Sequence, residues 1–198
     1  MRDSDLGWRE VGVAWAPDGW TAVDRGPAEP VPGSEPPVGA WAGAQVELPI
    51  VAEGWVREVA DHLAGGVAIV LDYGDEQPAL LRAHPHGTLV ALRGHQAQPD
   101  PLSAPGTADL SVFVDFSRIR AAARRSGLVE LAYSSQAEAL GRWGFSALLE
   151  AACTRAPNAE AEVRLRLAAK NLLFGFENFR VLELAPRSAT SPAASPEG

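Results

Sequence analysis

A single cysteine, Cys153, among 198 residues excludes an intramolecular disulfide and gives no sign of an oxidising compartment. There is no excess of positive charge either. Twenty-five acidic and 17 basic side chains leave a formal charge of −8, which speaks against a surface for nucleic-acid phosphates. No apolar run approaches the ~20 residues of a membrane-spanning helix, so no membrane contact is expected. The start, Met1-Arg2-Asp3-Ser4-Asp5, lacks the basic and apolar segments of a secretion signal, and a cytoplasmic location is expected. No internal repeat is present. His84 and His86 have no acid or thiol at ligand spacing, so no metal is expected. The remaining composition, 46% hydrophobic and 21% charged, suits one globular domain with a substantial core.

The most ordered stretch is Gly65–Gly74, GGVAIVLDYG, a glycine pair followed by an unbroken apolar run and then Asp72-Tyr73-Gly74. Such a run predicts a strand buried on both faces of a parallel sheet. A helix over Ala52–Ala64, with Trp55, Val59 and Leu63 on its inner stripe and Gly65 ending it, leads into the strand. Ligands gather outside the carboxyl ends of such strands, which makes Asp72 and Tyr73 candidates for a site.

Upstream, two β-prone runs flank Asp18-Gly19 and predict a hairpin, Trp8–Trp15 with Trp20–Val23. Pro27, Pro30, Pro32, Pro36 and Pro37 then predict an extended surface loop. Downstream, Asp75–His86 reads as a long loop, Gly87–Leu92 as a strand and Pro99–Gly106 as a second loop. Asp109–Asp115 alternates, placing Leu110, Val112 and Val114 on one face and Asp109 and Asp115 on the other. Asp115 is positioned to cap a helix whose inner stripe is Phe116, Ile119 and Ala123 and which ends at Gly127. Leu128–Ala132 reads as a strand. Ser135 and Glu138 have the spacing of a capping box, and Asn158 caps a longer helix to about Leu172. Phe179–Leu184 is the last strand, and Pro186–Gly198 reads as a disordered tail. The alternation gives an α/β fold.

These motifs resemble, in order and approximate spacing, the MidA family of class I S-adenosylmethionine-dependent methyltransferases. That family includes the mitochondrial complex I assembly arginine methyltransferases. The residues carrying the resemblance are Asp72-Tyr73-Gly74, Gly87-Thr88-Leu89, Arg93-Gly94-His95, Asp100-Pro101-Leu102, Pro105-Gly106 and Asp109-Leu110-Ser111. Val114-Asp115-Phe116, Ser135-Gln136 and Phe179-Arg180-Val181-Leu182 continue the series. The resemblance implies the C-terminal half of a Rossmann-like sheet, a partial domain over 1–185 in which 1–45 is a hairpin and proline-rich insertion, followed by a tail over 186–198. It also implies S-adenosylmethionine as cofactor and a protein arginine as acceptor.

The sequence departs from the family pattern in two ways. The glycine-rich E-x-G-x-G-x-G turn and the acidic residue that would hold the cofactor are not among these residues, and Phe113 stands where the family usually has histidine. Two readings of function follow. One is a methyltransferase chain lacking the cofactor half. The other is a truncated or degenerate relative that serves as a binding module or as half of a split enzyme.

Asp72 either holds a substrate guanidinium or caps the following turn. Tyr73 lines a pocket or packs, and His95 orients a reactant or sits solvated in its loop. Asp109 is left open. These four are the expected substrate side, and the cofactor side is unassigned. Gln136 is expected just inside its helix, and Cys153 as a packed residue. Expected partners are a protein substrate or a complementary N-terminal half, with homo-oligomerisation open. The acidic balance favours a basic partner.

Overall fold

The computed structural model describes residues 1–3, 7–29 and 40–187, which divide into two compact units. The first comprises Met1–Ala52 and Glu76–Arg118, the second Glu53–Asp75 and the chain from Ile119.

The first unit opens with an antiparallel sheet of β1 (Arg2–Asp3), β2 (Gly7–Ala16) and β3 (Gly19–Pro27), with β2 in the middle. The hairpin is where the sequence placed it, but the turn is Pro17-Asp18. Gly19, at φ 122°, already faces Ala16 in the ladder. The proline-rich stretch continues over 30–39, which lie outside the described residues, as do 188–198 of the tail.

Helix α1 (Ile50–His62) buries Val56, one position on from the expected Trp55, which is 46% exposed. It stops at His62, and the left-handed residue before the next strand is Gly66 (φ 82°), not Gly65. Strand β4 (Ala68–Asp75) follows. Here the sequence reading needs correcting, because β4 is not buried on both faces. Ile69 and Leu71 are about half exposed on one row, while Ala68 and Val70 on the other are more covered.

A loop was expected after β4, but Gln77–Ala83 forms helix α2. Pro78 sits in its first turn, where a missing N–H costs no helical hydrogen bond, so the proline opens the helix instead of breaking it. Leu81 of α2 joins Ala40 and Ala44 in a buried cluster against which Trp8 and Val46 pack. Next come β5 (Val90–Arg93), β6 (Gln96–Gln98) and β7 (Asp109–Ser111), antiparallel with β5 in the middle.

A second correction concerns Asp109–Asp115, which is not one alternating strand. After β7 the chain leaves the ladder at Val112-Phe113 and resumes as β8 (Val114–Asp115). The break has a cause: the Phe113 N–H is donated to the Thr88 hydroxyl, 3.1 Å away, instead of to a strand. Leu110 and Val112 accordingly point outward at 62% and 41% exposure, and the shared face expected for Asp109 and Asp115 does not form. Asp115 Oδ1 instead accepts the Arg118 N–H and caps α3 (Phe116–Arg125) as expected. Phe116, Ile119 and Ala123 are buried along α3, and Gly127 (φ 80°) ends it.

The second unit continues with β9 (Leu128–Ser135) and α4 (Gln136–Arg142), whose Ser135–Glu138 capping box is fully formed. Helix α5 (Phe145–Thr154) has no counterpart in the sequence reading. Gly144, held left-handed at φ 81°, separates it from α4. Helix α6 (Ala159–Phe174) starts where Asn158 accepts the Ala161 N–H at 2.9 Å. The last strand, β10 (Phe179–Pro186), runs antiparallel to both β4 and β9 and lies between them, so β4 and β9 are parallel to each other. Pro186 still pairs with Leu128, so the ordered chain reaches past the expected start of the tail.

Candidate functional site

Asp72 and Tyr73 lie near the end of the β4 ladder, opposite Arg180 and Phe179 of β10. One oxygen of Asp72 accepts the N–H of Tyr73 at 2.8 Å; among the described residues no other hydrogen bond to this carboxylate is found. This is a contact to the next residue within β4, not the cap of a following turn, and it engages Oδ1 alone. Tyr73 packs edge-to-face on Phe179, with ring centroids 5.6 Å apart, and Phe179 does the same with Phe176 at 5.2 Å. The packing reading of Tyr73 is thus met, and the aromatic group stiffens this end of the strand.

A guanidinium is already held beside them. Arg180 Nη2 lies 2.5 Å from Asp75 Oδ2, with both side chains mostly covered. Sequence reasoning missed Asp75, because it follows the glycine of Asp-Tyr-Gly and was assigned to a loop. An arginine in the last strand facing a run of two acids was the available signal.

His95 and Asp109 belong to the other unit. His95 is the second residue of the tight turn between β5 and β6 and adopts a left-handed φ of 63°, with its side chain exposed. Asp109 opens β7 opposite Leu92 and is exposed. Both belong to the β6-β5-β7 sheet region, and among the described residues no hydrogen bond joins them.

The same unit contains a small pocket of about 30 Å³ with a mixed, mainly apolar lining, room for about two waters or the tip of one side chain. Its lining includes Glu47, Gln77, His84, Thr88, Phe113 and Asp115. None of the four expected site residues is among them. Glu47 accounts for the Gly-Thr-Leu motif. Its carboxylate accepts the Thr88 N–H at 3.0 Å, the Thr88 hydroxyl at 2.9 Å and the Leu89 N–H at 3.3 Å. Thr88 Oγ1 passes the connection on to Phe113, so one acid ties three chain segments together. Gly87, at φ 89°, is required here: a Cβ would lie 2.4 Å from Glu47 Oε1. Phe113 rests edge-to-face against His84, at 4.8 Å. Glu47 was not singled out in the sequence, where it is one acid in an apolar stretch before Pro49.

Gln136, buried, donates to the Leu172 carbonyl at 2.7 Å and so closes the C-terminal end of α6. Cys153 is buried, as its packing reading requires. Among the described residues no group of three or more His, Cys, Asp or Glu side chains is placed to hold a metal ion, and no helix is long and apolar enough to cross a membrane.

Residues 1–134 match the family model described as "Putative S-adenosyl-L-methionine-dependent methyltransferase". The chain belongs to this family. Two solved structures from Burkholderia thailandensis share the methyltransferase-like α/β fold. One, solved bound to S-adenosyl-homocysteine, is 28% identical with a TM-score of 0.81 over 93% of this chain and 48% of its own. The other, an uncharacterised protein of the same superfamily in its native form, is 27% identical with a TM-score of 0.77 over 93% of this chain and 50% of its own. The chain thus spans about half the length of these methyltransferase-like relatives.

Within this methyltransferase family match fall Asp72, Tyr73, His95, Asp109 and the Glu47–Thr88–Phe113 connection. Gly65-Gly66 lead into β4, whereas a Rossmann-type cofactor turn would follow a strand, so this glycine pair is not such a turn.

Proposed function

We propose that this chain supplies the acceptor side of an S-adenosylmethionine-dependent methyltransferase of the MidA type. The accepting group is a protein arginine nitrogen, and the glycine-rich cofactor turn is supplied by sequence outside these 198 residues. The observation that carries the reading is Asp72, a partly covered carboxylate in the C-terminal half of β4 with one oxygen uncommitted. A carboxylate there binds a guanidinium by charge-assisted hydrogen bonds, as Asp75 does with Arg180 next to it. The net charge of −8 draws a cationic substrate segment toward the chain.

In methyl transfer the cofactor's role is to present an electrophilic methyl group. The work of these residues is to bind, orient and exclude water. Asp72 fixes the plane of the guanidinium, and Tyr73, held by Phe179, limits its lateral freedom. Orientation of this kind contributes a large share of the rate in such reactions.

One observation favours a different reading, a non-catalytic binding module: at position 113 an aromatic ring packs edge-to-face on His84, where the family pattern supplies an imidazole. One assay separates the two. The chain is combined with the cofactor-binding half of a relative, and transfer of a tritiated methyl group to an arginine-rich peptide is measured. A lysine-substituted peptide is the control. Arginine-dependent incorporation that falls at least 100-fold in Asp72→Asn supports the acceptor role. Binding of the peptide with no incorporation supports the module.

A further inference from the structure

Asp72 of β4 and Arg180 of β10 stand directly opposite each other in the antiparallel ladder. Two positions further along, the Gly74 N–H donates to the Asn178 carbonyl, which makes Asp72–Arg180 a hydrogen-bonded pair of the same ladder. Their side chains therefore share one face, with the Cα atoms about 5.5 Å apart. Opposite charges so placed are within easy reach of each other. Here they do not pair. Arg180 Nη2 is bound to Asp75 Oδ2 at 2.5 Å, and Nη1 donates to the carbonyls of Glu177 at 2.8 Å and Phe179 at 3.3 Å. The guanidinium is thus drawn along the ladder past Asp72. Asp72 Oδ1 turns to the Tyr73 N–H, and among the described residues its carboxylate takes part in no ion pair.

A third carboxylate is near. Ser135 faces Arg180 from β9, and Glu138 Oε2 accepts the Ser135 N–H and hydroxyl, each at 2.9 Å. Those two bonds first, and Arg180 least, hold the Glu138 carboxyl below its ordinary range. Of the three acids around Arg180, Asp75 binds it, Glu138 is engaged by its capping box, and Asp72 has an oxygen open.

We infer that Asp75 is a positioning residue: it anchors Arg180 so that this guanidinium does not fold onto Asp72, and so keeps Asp72 open to a cationic group from outside. The use of that opening rests on the acceptor reading of Asp72; the anchoring itself does not. An arginine tethered across the ladder competes with an incoming guanidinium at high effective concentration. Without the Asp75 charge, Arg180 keeps only neutral carbonyl acceptors, and the charged partner within reach is Asp72.

Nuclear magnetic resonance of the 198-residue chain tests the anchoring with no substrate present. In Asp75→Asn a nuclear Overhauser contact between the Arg180 Nε–H and the Asp72 Cβ protons should appear that the unmodified chain and Asp75→Glu lack. Binding of a labelled arginine-rich peptide tests the consequence. Affinity should fall at least tenfold in Asp75→Asn and return to within threefold when Arg180→Gln is added. Arg180→Gln alone should change it less than threefold, as should Glu177→Gln, which removes a neighbouring charge. An ion pair that only braces the strand end gives another pattern: Arg180→Gln alone weakens binding as much as Asp75→Asn, and the double variant does not recover. That pattern overturns the assignment, as does an Arg180 that stays in place in Asp75→Asn, or a Glu177→Gln loss equal to that of Asp75→Asn. If Arg180 moves onto Asp72 while the unmodified chain binds no peptide, the anchoring stands and the acceptor reading fails.

Discussion

Replacing Gly87 by alanine tests whether the Glu47–Thr88–Phe113 connection holds the first unit together. Two costs are separable. Gly87 has φ 89°, and an L-residue in the left-handed region costs about 1–2 kcal/mol. The added Cβ also lies 2.4 Å from Glu47 Oε1, so the carboxylate must swing away and give up its hydrogen bonds to Thr88 and Leu89. Bonds to a charged group contribute about 1.5–3 kcal/mol, and the flexible glutamate recovers part of that in solvent. The expected total is about 2–4 kcal/mol. Gly94 provides the control. Its φ is 56° and nothing lies within 4 Å of the point a Cβ would occupy, so Gly94→Ala costs the strain alone, about 1 kcal/mol. Urea denaturation followed by tryptophan fluorescence measures both. In a Glu47→Ala background Gly87→Ala should fall to the cost of Gly94→Ala, a coupling of about 1–2 kcal/mol. Equal losses for the two glycine variants, or strict additivity with Glu47→Ala, would refute the reasoning.

Three further outcomes are expected. Asn158→Ala removes the acceptor for the Ala161 N–H and should lower stability by about 1 kcal/mol in thermal melts, with Asn158→Ser nearly neutral. Gln136→Leu leaves the Leu172 carbonyl without its donor and should cost about 1–2 kcal/mol, visible as faster amide exchange at the end of α6. Hydrogen bonds from the Ser135 N–H and hydroxyl hold the Glu138 carboxyl below its ordinary range, and Arg9, then the Gly26 N–H, do the same for Asp24. Because both folded-state values are depressed, their contribution is complete above the ordinary carboxylate range and is lost as pH falls through the depressed values. Melts from pH 7 to pH 3 should therefore show a shallower acid-side decline in Glu138→Gln than in the unmodified chain.

The parts of the fold legible in the sequence were those governed by local chemistry. Asp115, Ser135 and Asn158 cap helices because a side-chain oxygen reaches an N–H two or three residues on, and that spacing is written in the chain. The hairpin was legible for the same reason. What was not legible depended on distant partners. Whether Val112-Phe113 continues a strand is decided by Thr88, and Thr88 is held by Glu47, 41 residues away in sequence. Pro78 looked like a loop signal because its effect depends on whether it falls in the first turn of a helix or deeper. The position of Asp72 and Tyr73 in the C-terminal half of β4 was legible from the apolar run before them, whereas the Asp75–Arg180 pair was hidden because the two lie 105 residues apart. The apolar run of β4 suggested burial on both faces; run length alone does not report that Ile69 and Leu71 are half exposed.

The central claim, that these residues form the acceptor side and hold no cofactor of their own, is tested most directly by calorimetric titration with S-adenosyl-homocysteine. The chain alone should give no saturable heat. Adding the cofactor-binding half of a relative should produce one-site binding in the micromolar range. Micromolar binding by the chain alone, or no binding by the combined halves, would contradict the account.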